Sequence, residues 1–249
     1  MCGRYVLTSA PEVFRNLFRY EERPNFPPRY NVAPTQPIPI VRLAEGRRQF
    51  ALVRWGLLPA WVKDPKAFSL VINARGESVL EKPAFRNAMR RRRCLIPADG
   101  FYEWQSANGR KRPFFVRPKS GAPVAFAGLW ETWMGPNGEE METAAIVTTT
   151  ANRTLGAIHE RMPVIVPPDA FDLWLNTRDV DAQTAAALIA PAPDSLLEAY
   201  EVASAVNRAA NDDPCLIAPA SGASEAKPAE AAAKTPRKAK SDRRQPSLF

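Results

Sequence analysis

Four side chains in this 249-residue chain have the types and settings for covalent chemistry at a carbonyl: Cys2, Asn73, Glu103 and His159. Cys2 stands directly behind Met1, and methionine excision proceeds when the second residue is small. The mature terminus is then a 1,2-aminothiol, with an amine and a thiol on adjacent carbons. The α-amino reference pKa of about 7.7–8.0 leaves a neutral fraction near physiological pH. Such a pair can form a Schiff base with an aldehyde and close it to a five-membered thiazolidine. It can equally act as a nucleophile on an acyl group. Arg4 places positive charge close in sequence, which is expected to lower the thiol pKa. The bland alternative is a chance cysteine at a frayed terminus.

His159, in "GAIHERMPVIV", is the one histidine of the chain. If the chemistry needs a proton shuttle near neutral pH, no other imidazole is available. A lone histidine is more often an ordinary core or surface residue. Glu103 lies in "ADGFYEWQ" between Tyr102 and Trp104. Packed rings would desolvate it, raise its pKa and suit it to acid work; strand alternation also allows it to face solvent. Asn73, in "VINARGE", can orient a carbonyl or bond its own turn. One histidine and three scattered cysteines without a CxxC pair give no zinc motif, so neither metal nor cofactor is expected.

Composition narrows the setting. Three cysteines are too few and too scattered for a disulfide framework and fit a reducing compartment. No apolar run reaches the roughly 18 residues of a membrane helix, and no signal peptide is read, so the expected location is cytoplasmic. The net charge is +8. Residues 221–249 hold seven Lys/Arg against three Asp/Glu, a net +4, which leaves the other +4 on the first 220. Basic residues interleave with aromatics in "RWGLLPAWVKD" and form a run in "FRNAMRRRRC". Arginines can pair with phosphates and exposed rings can stack on unpaired bases. The competing reading is a solvated helix face for the arginine run, with at least one of the two tryptophans, Trp55 or Trp61, in the core.

These residues must be positioned by an α+β fold. "RYVLTS", "IPIVRL", "QFALVRWGLL", "CLIPA", "PFFVR", "PVAFAGLW" and "TAAIVTTTA" are short β-rich runs. "SAPE" reads as a capping box, Ser9 with Glu12, opening a helix to about Phe18. "EERPNFPPRYNVAPTQPIP" reads as loop. "PPDAFDLWL" and "VDAQTAAALIA" read as helices. The order predicts a mixed or antiparallel sheet curled into a barrel with flanking helices. A domain is expected over 1–218. The segment 219–249 is Ala/Lys/Pro/Ser-rich and is expected to be a disordered basic tail.

The ordered motifs "MCGRY", "YNVAPTQ", "RWGLLPAW", "INARGE", "RRCLIPADGFYEW" and "IHERMPVIV" resemble the SRAP family, named for SOS response-associated peptidase. The resemblance runs from Cys2 to about Asn207. It implies covalent capture of abasic sites in single-stranded DNA, linked to DNA damage and repair, with associated lyase activity. Cys2 would be the nucleophile, and Asn73 would hold the terminal amine and the sugar. Glu103 would promote sugar ring opening, and His159 would handle protons. Arg4, Arg75 and Arg161 would contact phosphates, and Pro34 and Trp61 would wedge or stack bases. Gly3 would allow close backbone approach to the sugar. A monomer near the nucleoid is expected. The alternatives are an N-terminal-nucleophile peptidase, possibly acting only on itself, and a non-catalytic DNA-binding adaptor. The final residues "QPSLF" resemble a bacterial sliding-clamp pentapeptide at Gln245, Leu248 and Phe249 as well as Ser247, with Pro246 departing from it. Leu248 and Phe249 are the only large apolar residues after Ile217.

Overall fold

The computed structural model describes residues 2–107 and 109–220. Its elements follow the chain as β1 (Arg4–Leu7), α1 (Pro11–Phe18), β2 (Arg29–Val32), β3 (Pro37–Ala44), β4 (Arg47–Trp55), β5 (Asn73–Arg75) and α2 (Arg86–Arg91). Then come β6 (Arg93–Ala98), β7 (Gly100–Ala107), β8 (Arg110–Pro118), β9 (Val124–Met134), β10 (Glu140–Thr150) and α3 (Arg153–Gly156). The last are β11 (Arg161–Pro163), β12 (Ile165–Val166), α4 (Phe171–Leu175), α5 (Ala182–Ala186) and β13 (Leu197–Glu201). The expected α+β class with a barrel-like sheet is what the chain adopts.

The barrel closes through β4, β3, β6, β9 and β10, with β10 returning to β4 as a parallel neighbour. All other pairs in that ring are antiparallel. The β3–β4 hairpin turns on Glu45 and Gly46, both at positive φ (52° and 78°), the backbone of the twist-matched two-residue turn. Gly128 on β9 lets the wall close: a Cβ there would lie 2.8 Å from Cys94 Sγ and 2.9 Å from Ile96 Cδ1. Ile38, Ile40, Trp55, Cys94, Ile96, Phe126 and Ile146 belong to the main buried core. β5 pairs in parallel with β10.

A second, wholly antiparallel sheet runs β13–β8–β7–β1–β2. Gly100 permits its packing, because a Cβ there would sit 2.6 Å from the Val116 carbonyl. The paired backbone continues to Ala220, whose N–H donates to Glu201 O, two residues past the expected domain boundary. The remaining basic segment, with Gln245, Leu248 and Phe249, lies outside the described residues. Among the described residues, no helix is long and apolar enough to cross a membrane.

Several local expectations need correction. Ser9 caps no helix: its hydroxyl and backbone N–H both bind Asp99, and α1 starts at Pro11 behind Ala10 without a side-chain cap. The proline-punctuated stretch contains a strand, because β2 begins just after Pro27 and Pro28 and pairs with β1 as a sheet edge. The helix in "VDAQTAAALIA" is limited to Ala182–Ala186, capped by Asp181. The arginine run is not all a solvated face. Arg93 is 1% exposed and donates to the carbonyls of Met89, Trp174, Asn176 and Val180. Burial pulls its pKa down to about 10, so it stays charged at neutral pH.

Arg93 therefore ties α2, β6 and α4 together through backbone groups. Arg93→Ala takes its donor from four carbonyls; Asn176 O keeps the Val180 N–H, and each of the others left buried and unsatisfied costs about 1–3 kcal/mol. The expected loss in urea unfolding is about 3 kcal/mol or more; a loss under about 1 kcal/mol would contradict this role.

Candidate active site around Cys2

The start of the chain is built into the second sheet. β1 lies between β2 and β7, with Arg4 opposite Tyr102 and Tyr5 opposite Phe101. Beyond β1, Asp99 accepts the Ser9 N–H at 2.9 Å and also binds Thr8 N. At the other end, Asn73 Nδ2 donates to the Cys2 carbonyl at 2.9 Å. Asn73 is placed by β5, paired with Ile146 of β10. Its Oδ1 is buried and accepts no hydrogen bond among the described residues.

Cys2 is fully buried, and its Sγ lies 3.9 Å from the Arg4 carbonyl. Burial pushes the thiol well above its ordinary range, and the nearby charge of Glu103 pushes in the same direction. The expected lowering by the Arg4 charge does not appear; of Arg4, only the backbone contact lowers the thiol, and burial outweighs it. The Arg4 guanidinium faces away, donating to Asn31 Oδ1 at 2.9 Å, Val206 O at 2.8 Å and Asn207 O at 3.3 Å.

Glu103 is 1% exposed, so the solvent-facing alternative fails. It sits on β7 opposite Phe114 of β8. His159 follows α3, whose N-cap Asn152 accepts from Leu155 N. The imidazole Nδ1 accepts the Arg161 N–H at 2.9 Å. In the neutral ring this leaves the proton on Nε2. Glu103 and His159 share an open cleft of about 390 Å³ with Trp104, Ser106, Lys111 and Asn207. Cys2 and Asn73 are not among its lining residues, although Glu103 is near enough for its charge to act on the Cys2 thiol.

The other expected residues divide. Arg161 sends Nη1 to Glu77 Oε1 at 2.6 Å and Nη2 to Glu77 Oε2 at 2.9 Å and Thr148 O at 2.8 Å. Arg75, paired with Thr148, is exposed. Trp55 is buried in the core, whereas Trp61 is 57% exposed and meets Phe68 edge-on. Pro34 is half-buried; the next residue, Thr35, borders a cavity of about 370 Å³ with Arg54, Phe68, Leu70 and Met141. The isolated Leu57–Val71 bridge links that cavity wall to the segment leading into β5. Among the described residues, no group of three or more His, Cys, Asp or Glu is placed to hold a metal ion.

Sequence reasoning missed the supports. Gln105 Nε2 donates to Ala157 O at 2.8 Å, tying β7 to the turn that carries His159. Trp104 Nε1 donates to Asn207 Oδ1 at 2.8 Å. Asn31 is fully buried and holds Val206, Arg208 and Asn211 through its amide. Gln105 directly follows "FYEW" on the same strand, so its place beside the site is legible in the sequence. The partners of Trp104 and Asn31 are more than a hundred residues away and leave no local signal.

Gln105→Ala removes one tether, a loss of about 1 kcal/mol. The expected result is faster hydrogen exchange at Gly156, Ile158 and His159, with β9 amides unchanged. Unchanged exchange at those three amides would contradict the tether.

The family model described as SOS response associated peptidase (SRAP) matches residues 1–209. The Bacillus subtilis (strain 168) protein named abasic site processing protein YoqW is 39% identical over 221 residues, covering 87% of this chain and 99% of its own. The Mus musculus protein named abasic site processing protein HMCES is 30% identical over 271 residues, covering 88% of this chain and 76% of its own. A crystal structure of a protein from Bacteroides thetaiotaomicron matches with a TM-score of 0.80 at 24% identity, over 88% of this chain and all of the other. With its motifs in order from Cys2 and its fold matched over most of its length, this chain belongs to the SRAP family.

Proposed function

We propose that this chain processes abasic sites in single-stranded DNA by forming a covalent thiazolidine crosslink through Cys2. The observation that carries the reading is the placement of Cys2. Its carbonyl is held by Asn73 Nδ2, and a buried carboxylate, Glu103, acts on its thiol. That carboxylate shares a cleft with the imidazole of His159. The names of the Bacillus subtilis and mouse relatives support the same substrate.

Removal of Met1 frees the Cys2 amine. An abasic deoxyribose in its open form presents an aldehyde at C1′. The neutral amine adds to C1′, and the carbinolamine, protonated on its oxygen, loses water to give an iminium ion that keeps its N–H. Proton donation to the departing oxygen falls to Glu103 in its acid form or to His159 Nε2–H. The thiol then adds to the iminium carbon, its proton passes to the group that acted as the acid, and the ring closes with the nitrogen carrying its N–H. One C–N and one C–S bond form, and one water leaves. The high thiol pKa fits this order: the amine leads, and the sulfur closes the ring as its proton is removed. Asn73 holds the Cys2 backbone so that amine and thiol reach the same carbon.

A peptidase reading shares Cys2 and differs in substrate. The cleft includes Lys111 with Trp104, and the exposed Trp61 and Arg75 add cationic and aromatic surface. Such a surface suits a single strand better than a peptide groove.

Incubation with an abasic oligonucleotide should give one heat-stable adduct by intact mass spectrometry, lighter than the sum by one water. Cys2→Ala should give none, and retention of Met1 should abolish it equally. A heat-stable adduct of undiminished yield from Cys2→Ala would overturn the mechanism.

Glu103→Gln should slow crosslinking by about 10²–10⁴-fold, while affinity for undamaged single strands changes little. A variant that mainly lost affinity would remove Glu103 from the proton transfers.

A further inference from the structure

The reading that this chain binds single-stranded DNA gives Arg161 a phosphate to hold, yet the Nη1–Nη2 fork of its guanidinium is already occupied. Glu77 takes both ends of the guanidinium fork. Thr148 O takes a further Nη2 proton from the protein side. The Arg161 side chain is only 11% exposed, whereas that of Glu77 is 54% exposed. Arg161 Nε is buried with no hydrogen-bond partner among the described residues, so the Nε edge points into the protein. A phosphate arriving from solvent can use the fork only where Glu77 now sits.

We propose that Glu77 is an internal stand-in for a DNA phosphate, occupying the Arg161 fork in the DNA-free protein and giving way when a phosphate binds there. Carboxylate and phosphate suit the same bidentate fork, which makes the exchange geometrically simple. The site is a built one. β10 sets Thr148 opposite Arg75 of β5, and Thr150 of the same strand lies opposite Arg161 of β11. Glu77 is presented by the short turn Gly76–Ser78 directly after Arg75. That turn is packed tightly, since a Cβ on Gly76 would come within 2.2 Å of Ile189 Cγ2. Hydrogen bonds from Arg161 hold the Glu77 carboxyl below its usual range, and the charges of Arg161 and Arg75 add to this. The carboxylate is thus ionised at neutral pH and competes as an anion. The exchange keeps Arg161 oriented and its charge neutralised while no DNA is present, at the expense of affinity.

Counterion release distinguishes this role from simple packing. A free arginine meeting a single-strand phosphate contributes about 0.7 to the slope of log K against log salt. Here the contact also frees a carboxylate, which takes up cation screening, so its net contribution in the wild type is close to zero. Glu77→Gln removes that compensation.

The test is the affinity of full-length protein for a fluorescein-labelled, undamaged single-stranded oligonucleotide across a salt series. Glu77→Gln is expected to bind about fivefold or more tightly at low salt, with a slope steeper by about 0.7. Glu77→Asp, with a carboxylate too short for the same fork, should move in the same direction. Glu81→Gln makes the same charge change at an exposed position outside the fork, and should leave the slope unchanged. In an Arg161→Gln background, Glu77→Gln should have no effect on the slope. An unchanged slope, weaker binding by Glu77→Gln, or an equal effect from Glu81→Gln would overturn the proposal. A wild-type protein with no salt-dependent binding to single strands would overturn the functional reading itself, and this inference with it.

Discussion

A chain terminus held in the interior of a sheet is the constraint on which this structure depends. Terminal residues ordinarily fray, since fixing each backbone costs about 1–2 kcal/mol of entropy. Here β1 lies between β2 and β7, Asp99 ties down Thr8 and Ser9 beyond it, and Asn73 holds the Cys2 carbonyl before it. The second residue of the chain thereby acquires a fixed position beside Glu103. Asn73 comes from a strand paired with the barrel, so the terminus is registered against both sheets at once. In the proposed crosslink the amine and thiol need this fixity, because both must meet one carbon.

Arginine in this protein is as much a structural donor as a surface charge. Arg4 gathers Asn31, Val206 and Asn207, which draws the 204–213 segment against β2. Arg93 satisfies four carbonyls at the junction of α2, β6 and α4. Arg161 spans Glu77 and Thr148 beside the histidine turn. The net charge of +8 is therefore a poor map of where a polyanion meets the surface. Within the arginine run itself, Arg90 and Arg91 are exposed and Arg93 is buried.

Much of the barrel was legible because its strands are β-branched runs bounded by turns, as in "TAAIVTTT" and "PVAFAGLW". β2 was hidden by the prolines that precede it, since its pairing with β1 is a long-range fact that local composition opposes. The capping box at Ser9 failed for a related reason: Asp99, ninety residues on, outcompetes the helix for that hydroxyl. At the site, the reactive residue types were visible, and Glu103 and His159 do share a cleft. The direction of the thiol shift was not visible, because sequence proximity of Arg4 says nothing of where its guanidinium points. Burial, a property of the whole fold, sets that shift.

The central claim is that a single carbon becomes bonded to both nitrogen and sulfur of Cys2. The direct measurement is carbon-13 NMR of the adduct formed with an oligonucleotide labelled at C1′ of its abasic site. The account predicts a saturated C1′ that is stable without reductant and couples to the Cys2 nitrogen in nitrogen-15-labelled protein. An imine carbon that needs reduction to persist, or a carbon coupled to a lysine nitrogen instead, would contradict it.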